Sequence, residues 1–176
     1  DEVTSMTVQP DPRLRSYSRA VITYVEEGAQ DDARFCPDYQ PQQMVLMGVF
    51  GDAYFGGKLG AERLALLPRR WWFTKSGVFY TNMRGRQCKE INYHGRPASL
   101  KRDWWLDKGL IVDIDPLGWF EWYCHYFLGR RVSQYDDWQI DRWLRFRGRQ
   151  TRMYWARPTP GTAQALLHWG IRAETF

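Results

Sequence analysis

Between Pro116 and Arg131 the chain reads Pro-Leu-Gly-Trp-Phe-Glu-Trp-Tyr-Cys-His-Tyr-Phe-Leu-Gly-Arg-Arg, and no other stretch restricts the fold as much. Seven of these side chains are aromatic or imidazole rings, and each large ring must find a partner surface. Asp115 suits the N-cap and Pro116 the first turn of a helix through the run. Gly129 lies near its end, and Arg130 and Arg131 suit the negative pole of its dipole. Two uses follow. The rings can wall a core, or rings beside guanidinium groups can meet flat, negatively charged partners such as nucleic acid.

The rest of the chain supports a core of some size. Its 176 residues fit one domain, and ten tryptophans within 16% aromatic content give that core its material. The charge is unevenly spread. Residues 1–68 sum to −4 and residues 69–176 to +9, which favours an anionic partner for the second part. Arginine outnumbers lysine 20 to five, a bias that genome composition also produces. The three cysteines, Cys36, Cys88 and Cys124, form no Cys-x-x-Cys and read as buried thiols of a reducing, cytoplasmic setting. No apolar run reaches the roughly 18 residues a membrane span needs, and Asp1 to Pro10 does not read as a signal peptide.

The apolar positions Leu14, Tyr17, Val21, Tyr24 and Val25 fit a helical stripe, although Val21 to Val25 also has strand propensity. Residues 28–40 read as an acidic loop. Pro41 opens a short helix with Met44, Val45 and Met47, stopped by Gly48, and glycine-rich turns follow to Gly57. Leu59 to Leu67 is expected to be helical up to Pro68. Trp71 to Tyr80 is expected to hold a strand pair turning at Lys75-Ser76-Gly77. Met83 to Pro97 reads as a surface loop, and Ser99 as the cap of a helix with Trp104, Trp105 and Leu106, ended by Gly109. Ser133 and Asp136 resemble a cap for a helix to about Phe146 with the stripe Ile140, Trp143 and Leu144. Thr159-Pro160 opens and Gly170 closes a last helix. The expected fold is mainly α, a compact single-domain helical fold with minor short β elements, residues 1–12 forming an extension and 13–176 the domain.

The segments Gly118-Trp-Phe-Glu-Trp-Tyr-Cys124, Gly129-Arg-Arg131, Gln139-Ile-Asp-Arg-Trp143 and Gln164-Ala-Leu-Leu-His-Trp169 together resemble a group of small intracellular proteins with a similar run of rings, arginines and a terminal Ala-Leu-Leu piece. Met44 to Phe50 belongs to the same pattern. The resemblance covers about half the chain. It implies one compact unit and carries no chemistry.

Residues three and four apart on a helix share a face, so Glu121 neighbours His125, while Trp119, Tyr123, Phe127 and Arg130 form another row. A carboxylate beside an imidazole can tune it for proton transfer, and Tyr123 is a third candidate for that work. The same spacing also suits a structural hydrogen-bonded pair. Arg130, Arg131, Arg142, Arg145, Arg149 and Arg152 are the anion-binding candidates, since a planar guanidinium grips phosphate at two points and stacks on rings. Equally, these cations can form a solvated face paired with Asp137 and Asp141. Trp119, Trp122, Tyr126 and Trp138 are candidates for a pocket wall or for stacking, and a stacked base contributes about 1–3 kcal/mol. Trp138 or Tyr135 would stand at the rim. Cys88 and His94 lack the second ligand pair that a zinc site needs. Asp113 and Asp115 could hold Mg²⁺, but Asp115 already serves as a cap. No metal and no cofactor is therefore expected.

Three functions compete. The first is a nucleic-acid-binding or nucleic-acid-processing domain, supported by the +9 second part, the regular arginines and the rings. The second is a cofactor-free isomerase, cyclase or lyase with an aromatic-lined pocket for a hydrophobic or aromatic small molecule. The third is a module that binds an acidic protein. None of the three calls for a membrane.

Overall fold

The computed structural model describes residues 11–17, 19–78, 90–96 and 101–173. Within them lie six α-helices and two small antiparallel sheets, a mainly helical fold with minor strand. The helices are α1 (Pro41–Leu46), α2 (Gly57–Leu64), α3 (Arg102–Asp107), α4 (Trp119–Phe127), α5 (Tyr135–Ala156) and α6 (Pro160–Leu167). One sheet pairs β1 (Ile22–Tyr24) with β4 (Arg130–Val132), and the other pairs β2 (Phe73–Thr74) with β3 (Gly77–Val78). Asp1 to Pro10 of the expected extension, Cys88, Ser99, and most of the loop expected from Met83 to Pro97 lie outside the described residues.

The ring-rich helix α4 is the centre. Trp119, Phe120, Glu121, Trp122, Tyr123, Cys124 and Tyr126 are all buried in it. It packs on α1, α5 and β4. Phe35, from the loop read as merely acidic, sits among its rings. Its centroid lies 5.3 Å from Trp122, 5.2 Å from Tyr123, 5.5 Å from Tyr126 and 5.1 Å from Trp143 of α5, each edge to face. Such T-shaped pairs add to the area they bury because positive ring edges meet negative ring faces. Trp119 and Trp169 extend the cluster at 4.8 Å.

Several local expectations hold. Pro41 opens α1, the β2–β3 hairpin forms where the turn was read, and Thr159 caps α6 in a reciprocal pair with Thr162. Others need correction. The described residues between Leu14 and Val25 form no helix. Arg15 bridges to Val112, and Ile22 to Tyr24 is a strand, so β propensity prevailed over the apparent stripe. Asp115 does not cap α4. The cap is Gly118 at φ 109, a backbone conformation that side-chain-bearing residues rarely adopt. Arg130 and Arg131 lie in β4 rather than at a helix pole, because Gly129 turns the chain against β1 where a Cβ would collide with the Val25 carbonyl. Gln134, at φ 64, caps α5 instead of Ser133, and the helix runs on to Ala156 instead of ending near Phe146.

Candidate nucleic-acid interface

The six candidate arginines divide into two sets. Asp115, fully buried, accepts from both terminal nitrogens of Arg130 and from the Tyr135 hydroxyl at 2.7 Å. Gln139 Nε2 donates to that hydroxyl at 3.1 Å, and its Oε1 accepts from Arg142 at 2.8 Å. Arg142 also reaches the Leu110 carbonyl. A chain of polar groups therefore threads the core from Arg130 to Arg142. Burial would pull the Arg130 cation down, but the charge and hydrogen bonds of Asp115 outweigh it and leave the group raised. Burial lowers Arg142 to about 10, so it stays charged at neutral pH. Arg131 pairs with Asp31 at 2.8 Å, donates to three backbone carbonyls and lies 3.6 Å from the Tyr126 ring centroid. Arg130, Arg131 and Arg142 thus hold the fold together, each donating to groups inside the protein.

The other set lies on the second half of α5. Tyr135, Gln139, Ile140 and Trp143 are the buried residues of that helix, all from its first half. Beyond Trp143 every α5 residue keeps some exposure. Arg145, Arg149 and Arg152 are exposed and share one face at i, i+4 and i+7 spacing. Arg147 is exposed on another side, and Arg157 caps the helix. Their contacts are weak. Arg145 reaches the Asp141 carbonyl at 3.4 Å, and Arg149 and Arg147 lie 5.0 Å and 5.6 Å from the Phe146 and Trp143 rings. Among the described residues no carboxylate pairs with any of these five arginines, whereas Arg13, Arg34, Arg63, Arg70, Arg130 and Arg131 each have one. The sequence explains why, since no Asp or Glu occurs from Arg142 to Ala173. That acid-free run was the signal that would have added Arg147 and Arg157, although it also contains the internally bonded Arg142.

The rings also divide. Trp119, Trp122 and Tyr126 line the Phe35 cluster. Trp122 Nε1 donates to Asp136 at 2.8 Å. Tyr135, expected near a rim, is fully buried. Trp138 alone of the stacking candidates stays half-buried at the surface, where the guanidinium groups of Arg15 and Arg142 lie 4.8 Å and 4.7 Å from its ring. Along the same flank Phe146 stacks on Trp169 at 4.1 Å.

The candidate proton-transfer residues lie inside as well. Glu121 is fully buried and accepts from Arg63 Nε at 2.6 Å and from the Leu117 amide at 3.0 Å. His125 Nε2 lies 3.7 Å from Glu121 with no hydrogen-bond partner. Tyr123 donates to the Tyr39 carbonyl, and burial holds its hydroxyl well above the ordinary tyrosine range. Asp115, Glu121 and His125 bring ligand atoms within 4.8 Å of one another. Arg130 and Arg63 neutralise the two carboxylates, so a metal ion there would have to displace a guanidinium.

Comparison with protein-family models, with curated proteins and with solved structures gives no match. No helix of the described residues is long and apolar enough to cross a membrane.

Proposed function

We propose that this protein binds nucleic acid through the second half of α5, with Arg145, Arg149 and Arg152 tracking the phosphates and Arg147 and Arg157 flanking them. The observation that carries the reading is a helical row of exposed cations without carboxylate partners, within a run free of acidic residues. Uncompensated charge of one sign raises the local potential and draws a polyanion. From Arg145 to Arg152 the helix rises about 10 Å, close to three phosphate steps along one strand. Trp138, half-buried beside Arg15 and Arg142, and the exposed Trp155 of the same helix are the rings that could meet an unpaired base. The aromatic-pocket enzyme is less favoured, because Trp119, Trp122 and Tyr123 fill space in the core and Glu121 is held by Arg63.

Fluorescence anisotropy with labelled single-stranded and duplex oligonucleotides at low salt tests this. Wild-type protein is expected to bind, and the Arg145→Ala/Arg149→Ala/Arg152→Ala variant to lose most of that affinity. Competition by polyglutamate of matched charge separates the acidic-protein reading. Displacement by the polypeptide at least as effective as by unlabelled oligonucleotide would favour that alternative. No binding of either oligonucleotide by the wild type would end the proposal.

A further inference from the structure

Among the described residues strand β1 has a partner on one side only. It pairs with β4 in the register Ile22 with Val132, Thr23 with Arg131 and Tyr24 with Arg130. At its ends Val21 accepts from the Ser133 amide and Val25 donates to the Gly129 carbonyl. Backbone groups alternate in direction along an antiparallel strand. With Val21, Thr23 and Val25 turned toward β4, the N–H and C=O of Ile22 and Tyr24 point to the open edge. Every residue from Val21 to Glu27 is exposed, with Val21 65% and Tyr24 76% accessible. The segment Val21-Ile-Thr-Tyr-Val25 carries no charge and no proline. Natural edge strands are usually blunted by such residues, by bulges or by a covering element.

We infer that two copies of this chain join edge to edge through β1, forming a four-stranded antiparallel sheet in the order β4–β1–β1–β4. Pairing about a two-fold axis at Thr23 sets Ile22 of one copy opposite Tyr24 of the other, so the outward N–H and C=O groups of both residues meet. The same register sets Val21 opposite Val25 and brings Arg19 to the Glu26-Glu27 end of the second copy. Among the described residues Arg19 and Glu26 have no charged partner, and Glu27 holds Arg70 at 2.7 Å. This self-complementary placement, with a cation before the strand and two carboxylates after it, argues for a second copy over an unrelated strand. The contact is small beside a standard dimer interface, so association depends on concentration.

Sedimentation velocity of the intact protein over a range of loading concentrations is the test. The wild type should shift from monomer toward dimer as concentration rises. Tyr24→Pro removes an outward N–H without removing a bond to β4, and should stay monomeric with circular dichroism unchanged. Arg19→Glu lies outside the strand, leaves the fold intact and should weaken association several-fold. If Tyr24→Pro fails to fold, Arg19→Glu decides. A wild type that is monomeric throughout, or self-association that Arg19→Glu leaves unchanged, would overturn the inference.

Discussion

The two halves of α5 share one helix and the same residue type, yet their arginines sit in opposite surroundings. In the first half Arg142 is drawn into a buried network with Gln139, Tyr135, Asp115 and Arg130. In the second half Arg145, Arg149 and Arg152 stand in solvent with no carboxylate to meet among the described residues. Burial with a partner turns a guanidinium into a structural group, and exposure without one leaves its charge available. Arginine content alone therefore says little about binding, while pairing says much.

Substitutions can break or sharpen this contrast. The largest effects belong to the buried side. Phe35→Ala should cost about 3–5 kcal/mol, because it opens a cavity among five rings, measured by denaturant unfolding. Arg130→Met should cost a similar amount, about 3–5 kcal/mol, by stranding Asp115. Adding Asp115→Leu should recover much of that loss, which would show that the penalty comes from an unpaired charge.

A smaller effect comes from His168, buried beside Phe50, which burial lowers to about 4 from 6.5. Between those pH values the unfolded chain takes up a proton that the folded chain refuses. Stability should fall as pH falls through this window, by up to about 3 kcal/mol at its lower end. The His168→Phe variant should show a shallower acid limb than wild type in unfolding measured across that range, and an identical limb would show that His168 does not contribute. The smallest effect on stability is expected for the arginines of the second half. Arg145→Ala, Arg149→Ala and Arg152→Ala should each change it by no more than about 0.5 kcal/mol, read as thermal melts that nearly overlay the wild type.

Local chemistry made part of this legible in the sequence. Pro41, the Lys75-Ser76 turn, Thr159-Pro160 and the ring run each announce an element through groups a few residues apart. What escaped was long-range. Arg63 meets Glu121 from 58 residues away, and β1 meets β4 across the whole central part of the chain. No periodicity encodes such pairs. Asp115 illustrates the cost of local reading, since a sound capping residue was claimed by a distant cation. The extension of α5 beyond Phe146 was missed because its apolar stripe fades there, while Arg, Gln, Met and Ala keep helix propensity high. Of the candidate site, the exposed arginines were visible as residues, but their separation from Arg130, Arg131 and Arg142 required knowing which of them the fold draws inside.

The most direct test of the account is the salt dependence of duplex binding, measured in parallel for the wild type and the Arg145→Ala/Arg149→Ala/Arg152→Ala variant. Each phosphate contact contributes about 0.9 to the slope of log affinity against log salt, so losing three should flatten that slope by roughly 2.7. Equal slopes and equal affinities in the two proteins would contradict the assignment of this helix face to a polyanion.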